Sequence, residues 1–506
     1  MNLARMILKN TLSNWTGMAV ATAITILITP YILTQLGQER YGIYNIVFAV
    51  MQYLVLLEFG IRGAVARFAS KYIQAKDSTA LSSVISLAIL FSLIIGLIAI
   101  GLSVLIGYAA LDFFHVSSLY QTQTLILFVA SGLNLMLSFL CYSLSGVLIG
   151  SNRYELQNLQ IIINNVVRAA LIVVFFESGW ISLTSWAVAI IVATLASLMY
   201  LFVIVFHVQP GLRIGLKNLR PANMKEMFHF GGWNIFLQLS GLLTASANPI
   251  LIGRLLGSAM VPFYSIPFLL VSRLQEGVSG MTSTLMPHAS STLNTGDKAF
   301  LAHLLKRGTY TASLLVFPLG GCLLIMCRSL FRVWLPPQYE DYWVIYAIFM
   351  IAYFGSITQT SSYYVLLGGG NIKWMSFVYV GAGFCIVALC LLFVGVFKMG
   401  IEGAAIALVI PRFISTCLFQ PWFAARQSDL KVFEYLTKAY IRPVLYSIPS
   451  LLLAFCFSMY MPARSLPVWI AEYLLALLPT TVFIILEFDT FGLREISQKI
   501  LKRKLI

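Results

Sequence analysis

Long apolar runs alternate with short polar connections along almost the whole chain. About 20 apolar residues in a helix cross the hydrocarbon core of a bilayer. The pattern therefore predicts fourteen spanning helices, centred near residues 23, 55, 95, 135, 167, 194, 240, 277, 320, 355, 385, 413, 450 and 478. The first run starts near Thr11, has no small-residue cleavage pattern behind it and leads straight into the next span. It reads as a membrane helix and not as a cleaved signal.

Composition agrees. Of 506 residues 59% are hydrophobic and only 10% charged, with mean hydropathy +0.88. A soluble domain carries about 25% charged residues, so a water-facing surface of this size would go uncovered. The net charge of +15 is read through topology. With fourteen spans and the N-terminus inside, 22 of the 33 Lys and Arg fall on inside segments and five on outside ones. That bias predicts both termini in the cytoplasm. It implies no nucleic-acid partner. The basic tail LKRKLI is expected against anionic headgroups of the membrane lipids. All seven cysteines lie in or beside predicted spans without metal-site spacing, and they read as small core residues.

The chain also repeats itself at an offset of 220 residues. LTQLGQERYGIY (33–44) matches IGRLLGSAMVPFY (252–264), pairing Gly37 with Gly257 and Tyr44 with Tyr264. The same offset pairs Asn14 with Asn234, Asp77 with Asp297, Gly150 with Gly370 and Ile181 with Ile401. Six helices per copy is an even number, so the copies share one orientation and predict a site between them near the midplane. The expected organisation is an N-lobe over 1–206, a cytoplasmic linker over 207–228, a C-lobe over 229–426, and two extra helices with a basic tail over 427–506. Pro30 and Pro249 predict kinks near the outer ends of the first and seventh spans.

Charges inside the spans are the strongest functional signal, because a charge at mid-bilayer is costly and usually faces a bundle interior or a wet cavity. Glu58 and Arg62, four residues apart, are expected on one face of a continuous second helix. Arg67 lies nearer the cytoplasmic end and is expected to reach the headgroups. Arg273 and Glu276 share a face of the eighth span. Gln157, Gln160, Asn164 and Arg168 follow spacings of 3, 4 and 4 on the fifth, a stripe suited to a hydrated lumen. Asn234, Gln238 and Asn248 make a similar line on the seventh. Arg412 is a further mid-span arginine, whereas Arg328 is expected near the outer interface. Each of these polar groups has a structural reading too, as a salt bridge or as glue between helices.

If Arg62, Arg168, Arg273 and Arg412 face one cavity with Glu58 and Glu276, its net charge is +2. Guanidinium suits bidentate phosphate recognition, so an anionic cargo is favoured, with Asn164 and Gln160 beside the arginines. Glu58 and Glu276 are candidates for coupling to a proton or sodium gradient. No Walker-type loop and no metal motif occurs, and outer connections are short, so an enzyme is not expected.

The stretch LTQLGQERYGIYNIVFAVMQYLVLLEFGIRGAVARFASKY, with LIGSNRY after the fourth span, resembles bacterial polysaccharide-export flippases of the multidrug/oligosaccharidyl-lipid/polysaccharide exporter superfamily. The resemblance covers about 1–424. It implies an all-α, two-lobed, V-shaped membrane fold of the MATE type that alternates between inward-open and outward-open states. It implies a cargo of polyprenyl-pyrophosphate-linked oligosaccharide, turned to the outer leaflet for O-antigen, capsule or exopolysaccharide synthesis, with a polymerase and chain-length protein as pathway partners. The family's acidic motif residue matches Glu58, where many members have Asp. The rival readings are a multidrug exporter of organic cations in the same superfamily and, further off, a glycan polymerase or ligase.

Overall fold

A computed structural model describes residues 3–58, 60–215, 232–290, 296–370 and 372–491. The tail LKRKLI and most of the expected linker lie outside the described residues, as does the side chain of Asn234. Every regular element described is helical. In chain order these are α1 (Leu3–Leu36), α2 (Gln38–Leu54), α3 (Ile61–Gln74), α4 (Ser78–Phe113), α5 (Gln121–Gly150), α6 (Tyr154–Glu177) and α7 (Leu183–Val208). Next come α8 (Gly232–Leu255), α9 (Val261–Thr282), α10 (Leu285–Ser290), α11 (Lys298–Ile325), α12 (Cys327–Trp334), α13 (Trp343–Thr358) and α14 (Thr360–Gly368). The last are α15 (Ile372–Cys390), α16 (Gly400–Arg412), α17 (Gln420–Gln427), α18 (Val432–Tyr460) and α19 (Leu466–Phe491).

Thirteen spans among the described residues are long and apolar enough to cross a membrane. The expected span near 277 forms as α9, but Arg273, Gln275 and Glu276 dilute its apolar character and it falls below that threshold. The second span also departs from expectation. It is not one continuous α-helix: α2 ends in a 3₁₀ turn at Val55–Glu58, and Gly60 adopts φ 75°, ψ 24° before α3 begins. A left-handed residue cannot continue a right-handed helix, and glycine takes that conformation without a Cβ penalty.

The chain divides into two compact units, Met1–Ile266 with Ile372–Leu408, and Pro267–Asn371 with Val409–Ile506. In the first, small residues let helices close on one another. On α5, Gly146 faces Val65 and the Arg62 carbonyl of α3, and Gly150 faces Ala66 and Ala69. Ser92 of α4 bonds the Ser143 hydroxyl at 2.9 Å. In the second unit a buried polar cluster joins α18 to the α13–α14 junction. Gln359 donates to Tyr440 at 2.7 Å and accepts from Ser362 at 2.7 Å and Tyr435 at 3.2 Å. Tyr435 also shares a 2.5 Å bond with Thr309 of α11. Trp469 and Tyr473 of α19 donate to the carbonyls of Met326 and Leu319. The two extra helices are thus built into this unit.

Local geometry follows the 220-residue repeat. Gly37 precedes α2 at φ 79°, ψ 168°, and Gly257 precedes the Ser258–Met260 turn and α9 at φ 93°, ψ 158°. Asp77 caps α4 by accepting from the Ala80 N–H at 2.9 Å, and Asp297 caps α11 by accepting from Phe300 at 2.9 Å. Pro30 and Pro249 both sit inside helices. The cysteines divide: Cys141, Cys322, Cys327 and Cys390 are buried and Cys417 is half-buried, while Cys385 and Cys456 are exposed on apolar helix surfaces and are not core residues.

Candidate functional site

The first unit contains a cavity of about 170 Å³. Two helical stripes make most of its wall. From α2 and its 3₁₀ extension come Tyr44, Val47, Phe48, Met51, Gln52 and Val55; from α5 come Ser131, Asn134, Leu135, Ser138 and Tyr142. Both sets recur every three to four residues, so each is one face of its helix. The wall extends eleven residues along α2, about 16 Å at 1.5 Å per residue. Arg168 of α6 and Ile190 of α7 complete it.

Among the described residues, Arg168 is the one charged side chain in this wall, and no carboxylate lines it. Its Nη2 donates to Asn165 Oδ1 at 2.8 Å. Asn134 accepts from Thr194 at 2.6 Å, and Thr194 accepts from Asn164 at 3.3 Å, a relay that fixes α5, α6 and α7 around the cavity. Tyr44 stacks on Trp186 with centroids 4.1 Å apart. The side chains of Gln52, Ser131, Ser138 and Tyr142 make no hydrogen bond to the described protein. Polar groups within a membrane span normally find partners. Four without one on a single wall form a surface suited to a hydroxyl-rich ligand.

Arg62 lies behind Tyr142, its guanidinium carbon 6.0 Å from the ring centroid. The expected side-chain pairing of Arg62 with Glu58 is replaced by another contact: Glu58 Oε1 accepts from the Arg62 backbone N–H at 3.0 Å. The helix break at Gly60 is the reason. It exposes the first N–H groups of α3, and a carboxylate is a good acceptor at a helix N-terminus. Of the α6 stripe, Arg168 lines the cavity, Asn164 joins the relay, Gln157 is buried, and Gln160 is half-buried with its carbonyl accepting from Ser197.

The second unit holds the other two arginines. Arg273 and Glu276 pair at 2.6 Å along one face of α9. Arg412 donates to Gln275 at 3.2 Å and Ser356 at 2.9 Å, and its guanidinium sits 4.2 Å from the Tyr353 ring centroid. It is thus anchored on three sides. Arg328 lies 3.9 Å from Glu340, which also binds Arg332 at 2.6 Å and holds that guanidinium above its usual pKa. Asn248 is fully buried and bonds Tyr264 at 2.7 Å and the Ala404 carbonyl at 3.0 Å, which makes it a packing residue. The sequence reading missed the α5 stripe. Its polar members, Ser131, Asn134, Ser138 and Tyr142, have the same 3, 4, 4 spacing as the α6 stripe.

Residues 7–293 match the family described as polysaccharide biosynthesis protein. A Shigella flexneri protein provisionally named an O-antigen transporter is 22% identical over 426 residues, covering 84% of this chain and 99% of its own length. Among solved structures, the inward-facing conformation of a multidrug resistance MATE family transporter of the MOP superfamily superposes with TM-score 0.70 at 13% identity, covering 82% of this chain and 96% of that one. The outward-facing conformation of a transporter so described gives TM-score 0.63 at 14% identity, covering 84% and 97%. These likenesses establish the fold.

Proposed function

Because the chain belongs to the polysaccharide biosynthesis protein family, we propose that this multi-pass transporter is a flippase for polyprenyl-pyrophosphate-linked oligosaccharide, turned from the cytoplasmic to the outer leaflet. The observation that carries the reading is the wall of the first unit's cavity. It offers one guanidinium, two amides and several hydroxyls, without a carboxylate. Tyr44, Phe48 and Tyr142 give the wall aromatic faces of a kind that can hold a cation, but the guanidinium beside them repels one, so the wall suits an anionic, hydroxyl-rich cargo.

Arg168 and Arg62 attract the pyrophosphate in the first unit; in the second Arg412 adds positive potential, and Arg273 does so when its pair with Glu276 opens. Asn164 and Gln160 support the polar stripe behind Arg168. Sugars cross against hydroxyls and amides, while the polyprenyl chain stays in lipid. The two repeats, 1–206 and 229–426, move relative to each other to change access. Glu58 and Glu276 are the candidates for coupling that motion to a proton or sodium gradient. The protein resides in a bacterial inner membrane with both termini cytoplasmic, as the Lys and Arg bias supports. It delivers its product to a polymerase and chain-length partner.

The test is the sidedness of lipid-linked glycan in cells lacking the protein, probed in membranes of both orientations with a glycan-cleaving enzyme that cannot cross. Cytoplasmic accumulation of complete repeat units supports the reading. Accumulation on the outer face moves the protein downstream. Unchanged sidedness together with a drug-sensitivity phenotype requiring Glu58 favours an organic-cation exporter.

A further inference from the structure

The cavity of the first unit has two unlike walls. From α2 and its 3₁₀ extension come Tyr44, Val47, Phe48, Met51 and Val55, all apolar or aromatic, with Gln52 as the one amide. The rings form a ladder: Phe48 lies 26° from parallel to Tyr44 with centroids 6.2 Å apart, and Tyr44 lies on buried Trp186 at 4.1 Å. Stacked rings hold one another in place, so this wall keeps a flat apolar surface. From α5 come Ser131, Asn134 and Ser138 at spacings of 3 and 4, followed by Tyr142. Asn134 spends its carbonyl oxygen on Thr194, which leaves its NH2 group as a donor. Gln52, Ser131, Ser138 and Tyr142 are half-buried, and their polar atoms meet no partner among the described residues. The volume of about 170 Å³ is close to half the ~300 Å³ at which sites for drug-sized ligands begin. That is room for one six-membered sugar ring and not for two.

We infer that this cavity selects a single pyranose ring of the cargo, with the C–H face of the ring on the Tyr44–Phe48 side and its hydroxyl edge on the α5 side. The inference rests on the proposed transport reading and narrows it. The hydroxyl pattern of one sugar, read at Gln52, Ser131, Ser138 and Tyr142, decides which glycans pass. Other occupants fit worse. A polyprenyl chain would suit the α2 wall and strand four polar groups without partners, each at a desolvation cost. A free diphosphate would meet Arg168 and leave the aromatic wall unmatched. An organic cation would meet the rings and be repelled by Arg168. A pyranose is itself two-faced, apolar across its C–H groups and polar round its rim, and it matches both walls at once. Selection follows from the same groups. A polar wall that loses a hydroxyl partner is left unpaired and discriminates strongly, whereas an apolar wall alone discriminates weakly.

The test is ligand-observed saturation-transfer NMR on the full-length protein in lipid nanodiscs. The probes are methyl glycosides of a hexose, an N-acetylhexosamine, a 6-deoxyhexose and a hexuronic acid. At least one should bind, with the strongest transfer to the C–H groups of one ring face. Sorbitol, which has hydroxyls without the ring, and inorganic diphosphate should not displace it. On the wild-type protein, removing a hydroxyl that faces α5 should weaken binding about five-fold or more. Two variants then separate the walls. Ser131→Ala with Ser138→Ala should weaken the glycoside about ten-fold while its deoxy analogue binds as before. Phe48→Ala should weaken both alike, by about five-fold. Binding of no glycoside, displacement by sorbitol or diphosphate, or equal affinity of every deoxy analogue for the wild-type protein would each overturn the inference, and none of these needs a variant to fold. Nor do they need flux. A sidedness result that moves the protein downstream would sink the flippase reading while sugar binding stands, and a cavity without sugar affinity would sink the selector while the flippase reading stands.

Discussion

Replacing Arg168 by glutamine removes the one charge from the cavity wall while keeping a polar side chain of similar reach. Among the described residues the guanidinium has a single hydrogen bond, to Asn165 three positions earlier on the same helix, at 2.8 Å. The bond is only part-buried and the glutamine amide can replace much of it, so the substitution costs about 1 kcal/mol of stability or less. A charge-assisted bond to a cargo phosphate is worth about 1.5–3 kcal/mol. At 1.4 kcal/mol per factor of ten, Arg168→Gln should lower flux at limiting cargo by about 10- to 150-fold with little change in melting temperature. Arg168→Lys should recover part of the loss, because it restores charge without the bidentate fork. The assay is outer-leaflet glycan in complemented cells, normalised to the amount of protein in the membrane. Wild-type flux in Arg168→Gln would refute the cavity as part of the path. A fall in flux matched by an equal fall in folded protein would refute the separation of function from stability.

Arg412 should behave in the opposite way. Arg412→Leu loses the contacts to Gln275, Ser356 and Tyr353 and should destabilise the protein by about 2–4 kcal/mol, measured by thermal unfolding in detergent; an unchanged midpoint would reject this. Asp77→Ala and Asp297→Ala each remove one helix cap of the same length and should cost about 1 kcal/mol apiece, by the same measurement. A cost at one position only would show that the copies are unequal there. Gln359→Leu removes the amide donor to Tyr440, whose hydroxyl keeps its 3.0 Å bond with Thr358, and leaves Ser362 and Tyr435 short of an acceptor. It should cost about 2–3 kcal/mol and loosen α18, seen as faster proteolysis near residue 430; unchanged protection would count against the cluster's role.

What the sequence determined by itself is what depends on near neighbours in the chain. Apolar runs of bilayer length set the spans, because unpaired backbone in lipid leaves helix as the available form. The repeat, and the caps at Asp77 and Asp297 with the positive-φ turns at Gly37 and Gly257, are local geometries that each residue type favours on its own. The Arg273–Glu276 pair was legible for the same reason. Tertiary structure decided the rest. Helical spacing names a face without naming the helix it meets. The stripe on α6 was therefore visible, but not that only Arg168 of it would line a cavity walled by α2 and α5. Nor does spacing reveal that Glu58 would cap α3 after a break at Gly60, or that Arg412 would be anchored by Tyr353 and Ser356. Those outcomes depend on contacts between residues from four to more than fifty positions apart, and the close packing of Gly42 against the Ser258 backbone depends on one more than two hundred positions away. Only the folded chain brings such groups together, and there the packing of neighbouring helices outweighs the preference of any single segment.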